Sequence, residues 1–181
     1  TVKDAIPAMK KWVTDEGIGE ICVKGDNVMI GYYKRPDLTE QVLKDGWFST
    51  GDYGMLDSEG RLKITGRKKN IIVLTNGKNI YPEELEEKIG NIDYVKEVVV
   101  YAVLDENGAE DGLCAEAFLD EDMVSDMNEP DIKTRLKKDI DEALAELPRY
   151  KQISEVVIRD TEFVKNSSNK IKRNLVGPNA K

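Results

Sequence analysis

The stretch Gly66–Ile89, GRKKNIIVLTNGKNIYPEELEEKI, joins two unlike patterns. A short apolar run, Ile71 to Leu74, is flanked by Arg67-Lys68-Lys69 on one side and Asn76-Gly77-Lys78-Asn79 on the other. Pro82 then stands in the first turn of a helix. Its Glu83, Glu84, Glu86 and Glu87 lie near the positive end of the helix dipole, where acids are favoured. Leu85 and Ile89 share the buried face of that helix at helical spacing. A buried strand needs neither this many cations nor so flexible a loop at its ends, so the flanks call for another explanation.

Upstream of Lys69 the pattern is β-rich. GEICVKGDNVMIGYY (19–33) predicts a strand, a turn and a second strand. RPDLTEQVLKDG (35–46) predicts a short helix ended by Gly46. GWFSTGDYGMLD, a turn at Asp57-Ser58-Glu59-Gly60, and RLKITGR predict a hairpin. A polar entry precedes them, with a short helix expected around Pro7–Val13.

Downstream, Val95–Leu104 and Leu113–Leu119 predict strands. Asn128 caps a helix with Pro130 in its first turn. Its Ile132, Leu136, Ile140, Ala143, Leu144 and Leu147 make one apolar stripe, and Leu147-Pro148 ends it. A last strand, Ile153–Ile158, precedes a polar tail. The order predicts an α+β protein: a small β subdomain with one helix over residues 1–68, then a compact α+β domain over 69–181.

Composition excludes whole classes of function. The 40 % hydrophobic content of 181 residues supports a packed core. A net charge of −8 argues against a nucleic acid or a generic anionic membrane as partner. Histidine is absent, which removes Ser-His-Asp and Cys-His catalysis and nearly all transition-metal sites. Cys22 and Cys114, isolated among apolar residues, read as reduced core thiols rather than a disulfide. The eleven acids and absent Lys/Arg of Asp105–Asp131 read as a solvated surface, without the ligand spacing of a metal site. No apolar run reaches membrane-spanning length and no secretory leader is visible, so a cytoplasmic location is expected. The chain begins at Thr1 with no initiator methionine, which raises the expectation of a piece of a longer protein.

Three clusters carry potential chemistry, each with a plain alternative. Asp52, in Ser49-Thr50-Gly51-Asp52, is a carboxylate beside a glycine turn that can accept hydrogen bonds from two vicinal hydroxyls; taken alone, an Asx-type turn in a hairpin is the favoured account. Arg67, in Gly66-Arg67-Lys68-Lys69, can fork onto phosphate or sugar oxygens, or be solvated. Lys165–Arg173, KNSSNKIKR, bears four cations and no acid in an acidic protein. That inversion fits a phosphate, or a basic tail; it does not match a P-loop.

In order and spacing these clusters, from GEICVKGDNVMIGYY to GRKKNIIVLTNGKNIYPEELE and on through LPRYKQISEVVI to FVKNSSNKIKRNL, resemble the acyl-CoA synthetase branch of the adenylate-forming (AMP-binding) enzymes. The resemblance runs from about Gly19 to Leu175. It implies that residues 1–68 are the last β subdomain of a large nucleotide-binding domain and that 69–181 are the mobile C-terminal lid. Asp52 is then implied to hold the ribose hydroxyls, Arg67 to contact the ribose or phosphate, and Lys69 to be the hinge. Gly77 and Lys78 are implied to belong to the loop along the pantetheine arm of CoA, and Lys170, matching the lysine of the family's Gly-Lys-Ile motif, is implied to bridge carboxylate and α-phosphate.

Asn169 stands where the family has glycine and Val164 where proline is common; Lys165 and Lys172 are neighbouring alternatives to Lys170. The phosphate loop and acyl pocket of the family are nowhere in these residues. The resemblance therefore implies a fragment, inactive alone, whose partners are an N-terminal ATP- and acid-binding domain, a fatty acid, ATP with Mg²⁺, and CoA. No metal site and no tightly bound cofactor is expected in the chain, and membrane contact is expected only peripherally, through the acyl substrate. The wording of the opening stretch points to the long-chain subgroup. Two rival readings are an adenylation module serving a carrier protein and a non-catalytic binding module.

Overall fold

A computed structural model describes residues 17–177; the helix expected around Pro7–Val13 lies outside them. Contacts divide the chain after Asn70.

The first unit is built on one long strand. β3 (Trp47–Leu56) is flanked by β1 (Gly19–Val23) and β2 (Leu43–Lys44), and β4 (Leu62–Arg67) pairs with its second half, all antiparallel. The β3–β4 turn is the predicted one: Asp57 takes the amides of Glu59 and Arg61 on Oδ1, at 2.9 and 2.8 Å. Two expectations need correction. Val28–Tyr33 forms no strand, because nothing among the described residues offers it a ladder partner, and Ile30 stands 99 % exposed. The helix after Arg35, α1 (Pro36–Val42), stops short of Gly46. Leu43 and Lys44 instead pair with Phe48 and Trp47 across a two-residue turn, Asp45-Gly46, with φ of 52° and 79°. Positive φ at both positions suits the right-handed twist of a hairpin.

The chain then makes a 3₁₀ turn at Lys68–Asn70. The second unit opens with a minimal hairpin, β5 (Ile72–Val73) and β6 (Asn79–Ile80), and continues into α2 (Pro82–Ile89). Its sheet is β7 (Val95–Leu104), β8 (Glu110–Leu119) and β9 (Glu155–Arg159). β8 is central, antiparallel to β7 and parallel to β9. A short helix the sequence reading missed, α3 (Glu121–Val124), is capped by Asp120. α4 (Glu129–Ala143) begins where predicted, with the Asn128 side chain accepting from the Asp131 amide.

Alternation along β8 explains the layering. Leu113, Ala115, Ala117 and Leu119 face the main core, with Leu85 and Ile89 of α2 and Leu136 and Ile140 of α4. Phe118, on the other face, packs beside Val99, Phe163, Ile171 and Val176 of a smaller cluster. A strand covered on both faces needs apolar or paired residues throughout, and Glu116 meets this by pairing with Arg159. Of the two cysteines, both free, Cys114 is buried as expected, whereas Cys22 is only half-buried beside Ser49.

Candidate functional site

Strand register puts the first two candidates face to face. Asp52 lies opposite Arg67 in the β3–β4 ladder, and Arg67 Nε donates to Asp52 Oδ1 at 2.9 Å. The Asp52 backbone is fixed from behind: Thr50 Oγ1 donates to the Ile21 carbonyl at 2.8 Å and accepts the Asp52 amide at 3.1 Å. A carboxylate steadied by one guanidinium keeps acceptor capacity for hydroxyl donors. One strand over, Lys68 Nζ pairs with Glu20 at 2.7 Å, and that bond raises the lysine's pKa. Lys69, in the 3₁₀ turn that follows, is exposed.

In the second unit, Gly77 and Lys78 sit in the β5–β6 hairpin loop. Gly77 has φ 77° and donates to the Leu74 carbonyl at 2.8 Å. A Cβ there would meet nothing, so the left-handed backbone, not crowding, explains the glycine. The hairpin is moored to β8: Thr75 donates its amide to the Glu110 carbonyl at 3.0 Å and Val73 its amide to the Glu110 carboxylate at 2.9 Å. Lys78 Nζ lies 5.6 Å from the Tyr150 ring centroid.

The basic segment is a hairpin, not a loose tail. Lys165 and Ile171 form an antiparallel bridge, and Lys172 donates its amide to Val164 at 2.8 Å. Asn166 Oδ1 receives the Ser168 and Lys170 amides at 2.9 and 3.0 Å. Asn169 takes φ 58° at the tip; asparagine tolerates this conformation better than most residues, so the departure from glycine is accommodated. The four cations have separate fates. Lys165 pairs with Glu97 and Glu162, which raises its pKa. Arg173 pairs with Glu86. Lys170 and Lys172 are exposed and make no ion pair among the described residues. The choice of a free ammonium thus narrows to Lys170 at the tip and Lys172 at the foot.

Against known proteins, residues 69–177 match the family described as the AMP-binding enzyme C-terminal domain, well over half of the chain. The chain belongs to this family. A long-chain-fatty-acid–CoA ligase of Salmonella typhimurium is 47 % identical over 85 residues, covering 47 % of this chain and 15 % of that protein. The ligase of the same name from Bacillus subtilis is 49 % identical over 87 residues, 48 % of this chain and 15 % of its own length. Among solved structures, o-succinylbenzoate CoA synthetase from Bacillus subtilis, in complex with its acyl-adenylate intermediate, superposes with a TM-score of 0.69 at 31 % identity, over 87 % of this chain and 30 % of that one. The chain therefore spans about a seventh of the length of these curated relatives.

Within this AMP-binding C-terminal domain, sequence reasoning overlooked the acids that hold the basic hairpin. Glu86 had been one of four similar glutamates in a helix, and its partner Arg173 lies 87 residues away. Burial raises the Glu86 pKa, with Arg173 pulling it back. No local pattern singles out such a pair. Among the described residues no group of three or more His, Cys, Asp or Glu could hold a metal ion, and no helix is long and apolar enough to cross a membrane.

Proposed function

We propose that this chain is the C-terminal part of an ATP-dependent long-chain fatty acid–CoA ligase. Residues 1–68 end its large domain and 69–181 form its lid. In the parent enzyme the fatty carboxylate attacks the α-phosphate of ATP, giving acyl-AMP and releasing pyrophosphate. The CoA thiol then attacks the acyl carbonyl and AMP leaves.

Asp52 accepts the two ribose hydroxyls and Arg67 steadies that carboxylate while reaching the ribose or phosphate. Lys170 places its ammonium between carboxylate and α-phosphate, where negative charge crowds in the transition state. A preorganised charge of this kind is worth on the order of 3–4 kcal/mol, or a few hundredfold in rate. Lys69 is the pivot for lid rotation between the half-reactions, and Gly77 with Lys78 then borders the pantetheine arm. ATP, Mg²⁺ and CoA enter as substrates; Mg²⁺ neutralises the triphosphate, and the residues that hold it belong to the N-terminal part. The parent enzyme works in the cytoplasm, meeting the membrane only through its acyl substrate.

The observation that carries this reading is an unpaired lysine at the tip of a braced hairpin, in a domain of this family. The full-length protein is expected to catalyse ATP–pyrophosphate exchange dependent on a long-chain fatty acid, and to form the thioester when CoA is added. Exchange followed by transfer only to a carrier protein would replace the acceptor; absence of exchange with any fatty acid would remove the reading.

A further inference from the structure

We infer that Glu86–Arg173 and Lys165–Glu97 form a two-footed clamp that holds the Lys170 hairpin in register, making these four positioning residues for adenylate formation. The inference rests on the role proposed for Lys170.

Each foot has the same design. On β7, Glu97 takes the Lys165 ammonium on one oxygen and the Phe163 amide on the other, at 2.9 Å. On α2, Glu86 takes the Arg173 guanidinium on one oxygen and the Val100 amide on the other, at 2.7 Å. Arg173 also reaches the Val100 carbonyl at 3.4 Å. Glu86 thus joins Arg173 to the β7 backbone at Val100, whereas Glu97, itself on β7, gathers Lys165 and the Phe163 amide of the incoming segment onto the sheet. The side chains of Glu97 and Glu86 are only 13 % and 15 % exposed, where such charge-assisted bonds are poorly screened.

Apolar anchoring of the hairpin is thin by comparison: Ile171 is its contribution to the small cluster of Val99, Phe163 and Val176. The clamps bracket the tip, one five residues before Lys170 and the other three after it. A lysine side chain is flexible, so the location of its backbone decides where its charge can act. Misplacement by about 1 Å can cost about a hundredfold in rate. The positive run of Lys165–Arg173 thereby divides into cations that fix the hairpin and cations left free at it.

The test compares half-reactions in the full-length enzyme. Glu86→Gln keeps the side-chain volume and the acceptor for the Val100 amide while losing the charge. It is expected to lower acyl-AMP formation about tenfold to a hundredfold, leaving thioester formation from supplied acyl-AMP within about twofold. Arg173→Met should match it, and Arg173→Lys should recover most of the loss. Combining Glu86→Gln with Arg173→Met should cost no more than either alone, as for partners in one interaction.

Equal losses in both half-reactions would mark a merely structural role and overturn the clamp; so would undiminished adenylate formation. Should Glu86→Gln not accumulate as folded protein, Arg173→Met and Lys165→Met, both at partly exposed side chains, decide by the same split. Lys170→Ala is the reference: if it leaves acyl-AMP formation intact, the proposed function fails, whatever the clamp variants do.

Discussion

The two units differ in what their apolar side chains touch. In the first, Ile18 and Ile21 are buried, while Ile64 and Tyr33 stand 62 % and 86 % exposed. In the second, Ile80, Leu85, Ile89, Leu136, Ile140 and Leu144 have no exposed surface at all. The second unit closes a core between sheet and helices. The first is a sheet without a matching layer among the described residues, and a sheet face ordinarily needs one. The contrast teaches that the second unit buries its apolar side chains in a core of its own, whereas the described residues of the first leave apolar side chains on a sheet face uncovered. The candidate residues follow the same division: Asp52 and Arg67 are paired within the open sheet, whereas Lys170 is held out, unpaired, by a unit with its own core.

That contrast can be broken by perturbing each side of it. Leu136→Ala, in the middle of the closed core, should cost about 2–5 kcal/mol in urea unfolding. A much smaller cost would mean the core is less continuous than its burial indicates. The next effect is a pH dependence. Burial lifts the Glu86 pKa above its ordinary 4.5 in the folded chain, so the folded state binds the extra proton. Stability from this group is complete below that ordinary value and is lost as pH rises through the folded pKa. The melting temperature of the wild type should therefore fall relative to Glu86→Gln as pH is raised from about 4 to about 8. A relative rise would reverse the assigned cause. Smallest of all, Ile64→Ala on the open sheet should shift stability by no more than about 0.5 kcal/mol. A loss as large as that of Leu136→Ala would erase the distinction between the units.

Much of the fold was legible because its signals are local. Pro82 with its acidic first turn, Asn128 before Pro130, and the apolar run of β7 each announce themselves within a few residues. What failed needed a partner. Val28–Tyr33 has the composition of a strand but no ladder neighbour among the described residues, and Leu43-Lys44 left the helix because β3 was there to receive it. The site divides in the same way. Asp52 and Arg67 could be named as candidates by residue type, and Gly77 and Lys170 through the family resemblance, but the register that sets Asp52 against Arg67 could not be read. Nor could the sharing of the basic run between Glu97, Glu86 and solvent, since those acids are remote in sequence.

The most direct trial of the account is Lys170→Ala in the full-length enzyme, with acyl-AMP formation and CoA transfer from supplied acyl-AMP measured separately. The expected result is a loss of about a few hundredfold in the first step with the second step retained. Equal impairment of both, or an adenylation rate like that of the wild type, would contradict it.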